Sequence, residues 1–182
     1  MKKKIVVIII IVLCLFGIAG YQIKFKLNEE KKKLMRIKKR NEISSAIWSC
    51  LKNPKEMILY SIDPNLEGED LKLLPRDILF HNFKILGSIK INNFEEQNKI
   101  VTEIESAVSM IDADFANCFW PRHGVRVTDG NIVYDFVICY HCNTLYLYEG
   151  DNKLKEIIIG GTVDILNAIL IKAKVPLPES YK

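Results

Sequence analysis

Val125-Arg126-Val127-Thr128-Asp129-Gly130-Asn131-Ile132-Val133-Tyr134 reads as a β-hairpin. Two short runs rich in β-branched residues flank Asp129-Gly130, a dipeptide that accepts the positive φ angles of a two-residue type I′ turn. A second meander follows, in which Asn143–Tyr148 pairs with Leu154–Ile159 across Glu149-Gly150-Asp151-Asn152. Upstream, Met57–Ile62 is a strand-like run closed by the turn sequence Asp63-Pro64-Asn65. His81–Ile91 alternates as a strand does, with Gly87 at a bulge.

Helical spacing separates these strands. Asn92 or Asn93 caps a helix running to about Ile111, with Phe94, Ile100, Val101, Ile104, Ala107, Val108 and Ile111 on its inner face. Thr162 caps a last helix, Val163 to about Lys174, whose apolar face is Ile165, Leu166, Ile169 and Leu170. The order ββαβββα, with strands and helices segregated, predicts an α+β fold: a mainly antiparallel sheet with helices on one face.

The N-terminal quarter is of another kind. Lys2-Lys3-Lys4 precedes an uncharged run, Ile5–Ile23, which as a helix is about long enough to span a hydrocarbon core of roughly 30 Å. Gly17-Ile18-Ala19 offers small residues for signal cleavage after Ala19, so a removed signal peptide and a retained anchor both fit. Leu13 directly before Cys14 excludes lipoprotein processing. Asn28 to about Leu51 reads as a basic stalk helix capped by Asn28. The expected organisation is therefore a signal peptide or membrane anchor over 1–27, a stalk over 28–55 and one α+β domain over 56–182. Nine Lys and Arg residues between Lys24 and Arg40, against three before the apolar run, favour a cytosol-facing body by the charge rule. The short N-terminal tail and the cleavage site favour export to the cell envelope.

Charge separates the same regions. Residues 1–40 hold twelve Lys or Arg and two Glu, whereas residues 41–182 hold fourteen Lys or Arg and twenty Asp or Glu. The body is thus acidic, and no nucleic-acid partner that works by counterion release is expected. The expected partners are the membrane, through the N-terminal segment, and another protein.

Chemistry-bearing residues cluster in Cys118-Phe119-Trp120-Pro121-Arg122-His123-Gly124 and Cys139-Tyr140-His141-Cys142. With a two-residue hairpin loop, Cys118 faces His141 and lies diagonal to Cys139 on one sheet face, which predicts a Cys118–Cys139 disulfide in an oxidising compartment. The same register sets Arg126 opposite Val133 and diagonal to Asp135, with Arg122 further along that face. Arg122, His123, Arg126 and Asp135 are the binding candidates. No cofactor is expected, and zinc held by Cys118, Cys139, Cys142 and His123 (or His141) is the alternative. A thioredoxin-like reading of Cys139-x-x-Cys142 lacks the helix N-terminus that would activate its thiol. No catalytic residue is assigned.

The segments Cys118–Arg126 and Asp135–Cys142 resemble those of an uncharacterised bacterial family, many of whose members are exported. The shared strings are C-F-x-P-R-H-G-x-R and D-x-x-I-C-[FY]-x-C. The likeness covers about residues 57–177 and implies one domain without implying an activity. His141 stands where that family carries Glu. Two function classes follow: a non-enzymatic binding or inhibitory module at the envelope, immunity proteins being one analogue, or a metal- or thiol-dependent envelope protein using Cys118, His123, Cys139 and Cys142.

Overall fold

The computed structural model describes residues 2–65, 74–110, 116 and 118–179, with the backbone alone over 2–19. The chain divides into two compact units, one up to Lys38 and one from Lys39 onward.

The first unit is a single helix. Helix α1 spans Lys2–Arg40, its last two residues belonging to the second unit. It runs through Asn28 without a break, so the predicted cap there is not used. The chain contains no Gly or Pro between Tyr21 and Arg40 that would stop a helix. Among the described residues no helix is long and apolar enough to cross a membrane. The side chains of Ile5–Ala19, on which the anchor and signal readings rest, lie outside the described residues.

The second unit opens with a short helix, α2 (Ser45–Lys52), started by Ser44, whose Oγ accepts from the Ile47 amide at 3.4 Å. The predicted stalk helix is therefore interrupted over 41–44, and its last turns become part of the body. Ile47, Trp48, Cys50 and Leu51 are buried there, and the Trp48 indole donates to the Arg40 carbonyl at 3.0 Å.

Seven antiparallel strands follow, in the spatial order β2-β3-β1-β4-β5-β6-β7. They are β1 (Glu56–Asp63), β2 (Leu79–Phe80), β3 (Phe83–Lys90), β4 (His123–Thr128), β5 (Val133–Cys139), β6 (Thr144–Glu149) and β7 (Asn152–Ile158). Helix α3 (Phe94–Ser109) connects β3 to β4, and α4 (Asp164–Lys172) closes the chain. The α+β class and the antiparallel sheet are as expected. The strands number seven where ββαβββα has five: the two-residue β2 is added before β3, and the hairpin and meander together supply four strands where the order has three.

Side-chain alternation sorts the sheet into two faces. Met57, Leu59, Val125, Val127, Phe136, Ile138, Leu145 and Leu147 face the helices and join the buried residues of α2, α3 and α4 in the main core. Asn93 caps α3 by accepting from Glu95 and Glu96 amides at 2.7 and 3.3 Å. Its predicted inner face is buried from Ile100 to Val108, whereas Phe94 is 73% exposed; Ile111 lies outside the described residues. In the α4 stripe Leu166, Ile169 and Leu170 are buried and Ile165 is half-buried, and Thr162 donates to the Asp164 carboxylate at 2.7 Å instead of capping the helix. Tyr60, Ile62, Phe80 and Val137 form a smaller cluster on the other face, with Phe119, Tyr146 and Tyr148 packed against it. That second face carries the candidate site.

Candidate functional site

The β4–β5 hairpin sets the site. Its ladder closes at Thr128↔Val133, so the loop is four residues rather than two. Asp129 explains the difference. Its carboxylate accepts from the Asn131 and Ile132 amides at 2.9 and 3.0 Å, an Asx-type turn that competes with the tighter one. The register is shifted by two residues, which preserves the faces and brings Arg126 directly opposite Asp135.

That pairing is bidentate. Arg126 donates through Nε to Oδ1 at 2.8 Å and through Nη2 to Oδ2 at 2.7 Å. Asp135 is fully buried, while the Arg126 side chain remains 39% exposed. His81 completes the cluster, its Nε2 lying 3.0 Å from Asp135 Oδ2. Burial raises the Asp135 pKa, but the hydrogen bonds and charge of Arg126, with His81, outweigh it and hold the carboxyl below its ordinary value.

The histidine is placed by an unusual backbone. His81-Asn82 is the two-residue turn between β2 and β3, and His81 has φ +56°, a region in which glycine is the ordinary occupant. Stacking on Tyr148 (centroids 3.7 Å) and the Asp135 contact hold the ring there. Phe80, the preceding residue, lies edge-on to His81 and stacks on Tyr60 at 4.6 Å. The Arg126 guanidinium sits 5.4 Å from the Phe80 ring centre and 5.9 Å from that of Tyr60. Gly124 leaves the room for this: a Cβ there would come within 2.4 Å of the Phe80 ring.

Above these residues opens a cleft of about 770 Å³. Tyr60, Phe80 and Tyr148 give it aromatic walls, Arg126 and Ser88 face into it, and Arg76, Asp77 and Asp151 charge its rim with both signs. The volume is that of a ligand or side-chain pocket. No protein family, curated protein or solved structure matches the chain. The site therefore rests on its own geometry.

Of the four binding candidates, Arg126 lines this cleft with the buried Asp135 paired to it, and Arg122 and His123 lie elsewhere. His123 points to the helix face, is 1% exposed, and contacts Asn167 Oδ1 of α4 through Nε2 at 2.8 Å. Burial, reinforced by the Arg122 charge and opposed by the Asn167 bond, lowers its pKa to about 4. Arg122 donates to the Glu179 carbonyl at 2.8 Å and, with His123, lines a separate hollow of about 330 Å³. His81 and the aromatic walls were missed by sequence reasoning. One signal was available: His and Asn are among the few residues that tolerate positive φ, so His81-Asn82 between Phe80 and Phe83 has turn chemistry.

The cysteines arrange differently from the expected diagonal. Pro121 has no amide to donate, and β4 begins only at His123, leaving Cys118 outside the strand. Cys118, Cys139 and Cys142 are all thiols. The Cys142 amide donates to Cys139 Sγ at 3.2 Å. The Cys142 contact and burial raise the Cys118 pKa; burial, chiefly, raises that of Cys142. Both are thus held as protonated thiols, which are poor nucleophiles. The residues of the zinc alternative lie apart: Cys139 shares the face of Val137 and Asp135, whereas His123 points to the helices, and His141 is exposed. Among the described residues no group of three or more His, Cys, Asp or Glu side chains is placed to hold a metal.

Proposed function

We propose that the chain is a non-enzymatic binding or inhibitory module of the bacterial cell envelope, tethered or delivered by its N-terminal segment, and that the Arg126 cleft receives its protein partner. The observation that carries this reading is the fixed guanidinium. Arg126 is locked in place by a fully buried carboxylate and two rings while still facing an open cleft. A cation ordered before binding loses little entropy on contact, which is how arginine anchors an interface. Asp135 has both oxygens engaged by Arg126 and His81, an arrangement suited to positioning rather than to general-base work. Charges of both signs around the rim favour a protein segment that presents a carboxylate to Arg126 and Arg76 and a basic group to Asp77 and Asp151.

Photo-crosslinking in the bacterial host tests the reading. A photoreactive residue at Ser88, inside the cleft, should give a discrete protein adduct that Arg126→Lys abolishes. The same residue at Lys99, on the exposed side of α3, should not give it. Equal labelling at both positions, or an adduct indifferent to Arg126→Lys, would remove the cleft from the proposal.

A further inference from the structure

We propose that the apolar seam of α1 is a docking surface for one acidic α-helix of a partner protein, which pairs with it as a short two-stranded coiled coil. The inference stands apart from the cleft reading and concerns only the first compact unit. Within that unit Ile23, Leu27, Leu34 and Ile37 recur at spacings of four, seven and three residues. Those spacings put them at the d, a, a and d positions of a heptad register, with Glu30 at the d position between Leu27 and Leu34. They form a stripe on one side of α1 that is two positions wide in seven, the width of a coiled-coil seam. A helix lying on a membrane presents a broader apolar face. All four side chains are open to a partner, from 47% exposed at Ile37 to 66% at Leu34.

The charges beside the seam decide what covers it. From residue 24 to residue 38 every e and g position is a lysine: Lys24, Lys31 and Lys38 at e, Lys26 and Lys33 at g. A second copy of this chain in parallel register would set Lys26 against Lys31 and Lys33 against Lys38, on both sides of the seam, and Glu30 against its own counterpart inside it. An antiparallel copy would set e against e and g against g, again lysine on lysine. Self-pairing is therefore disfavoured in both directions, whereas a helix with Glu or Asp at e and g makes the same contacts attractive. Glu30 adds a further condition. A carboxylate enclosed in the seam without an opposite charge is costly, so the layer facing it takes a Lys or Arg from the partner. The partner so described is an amphipathic helix with two heptads of apolar a and d residues, acidic flanks and one basic residue opposite Glu30. Each exposed flanking pair is worth about twofold in affinity, so four of them give about tenfold.

The test uses the full chain in nonionic detergent and a labelled synthetic peptide of this pattern, read by fluorescence anisotropy at about 0.1 M salt. The expected result is saturable binding that weakens about tenfold when the peptide carries Gln at e and g, and about 100-fold when it carries Lys there. Leu27→Asp or Leu34→Asp should abolish it. Phe25→Asp and Met35→Asp change equally apolar, exposed residues on the far side of α1 and should leave binding within about twofold, as should Arg126→Lys in the cleft. The proposal is overturned by no binding of the acidic peptide, by equal binding of the acidic and basic peptides, or by a loss through Phe25→Asp as great as through Leu34→Asp. Self-association of the chain in sedimentation, removed by Leu34→Asp, also overturns it. An anionic membrane as the occupant has its own signature. An environment-sensitive fluorescent amino acid in place of Leu27 would shift to the blue in phosphatidylglycerol vesicles and not in phosphatidylcholine vesicles, and the acidic peptide would not bind; that outcome, too, overturns the proposal.

Discussion

His123 should make the fold acid-sensitive below about pH 6.5. In the native state its imidazole is buried and neutral, with a pKa of about 4, against 6.5 for the exposed side chain. A histidine whose folded pKa is depressed binds its proton more readily in the unfolded chain, so stability falls as pH drops below 6.5 and the loss is complete near pH 4. Integrated over that interval the effect is about 3 kcal/mol. Asp135 acts in the same direction, but only below its unfolded value of about 3.9. His123→Gln removes the titration and retains a donor for Asn167. Urea unfolding at pH 7.5 and 4.5 should show the unaltered protein losing about 2–3 kcal/mol more than the variant, a midpoint difference of about 1 M. Parallel losses in the two proteins would mean that the native state hydrates or protonates His123, and that its burial is not maintained in solution.

Three further outcomes follow from the cluster. Asp135→Ala should cost about 3 kcal/mol by thermal or urea unfolding, because it strips a buried partner from Arg126 and His81, whereas Asp151→Ala at the exposed rim should lie within about 0.5 kcal/mol of the unaltered protein; equal costs would show that Asp135 is hydrated. His81→Gly should be more stable than His81→Ala by about 1 kcal/mol, reversing the usual order, because both lose the ring and only glycine relieves a φ of +56°. Gly124→Ala should cost about 1–3 kcal/mol, since its Cβ would displace the Phe80 ring; an unchanged midpoint would place Phe80 elsewhere.

What the sequence disclosed, and what it withheld, follows from the range over which each signal acts. The hairpin, the α3 cap at Asn93 and the central parts of the α3 and α4 stripes are local patterns, and these appear in the fold. Parity is also robust. The loop of the β4–β5 hairpin grew by two residues, an even number, so Arg126 and Asp135 kept their common face and moved from diagonal to opposite. An odd change would have parted them. Cys118 was mispaired because strand arithmetic was carried through Pro121, where the ladder stops. The continuity of α1 past Asn28 is a case where an N-cap residue met good helix formers on both sides and was overridden.

His81 was out of reach for a different reason. It lies 54 residues from Asp135, and β1 and β4 separate β3 from β5 in the sheet, so the two meet across the sheet face, where Phe80 stacks on Tyr60, a placement that no local pattern encodes. Once that placement is made, the roles along one short strand become interdependent. His123 goes into the helix-side core, Gly124 gives the floor to Phe80, Val125 returns to the core and Arg126 faces the cleft. A string such as His-Gly-Val-Arg thus serves two faces at once, and each residue is constrained by a different neighbour: Asn167, Phe80, the main core and Asp135. Changing any of the four should therefore disturb a separate contact, and the acid window of His123 should survive substitutions in the cleft that abolish crosslinking at Ser88.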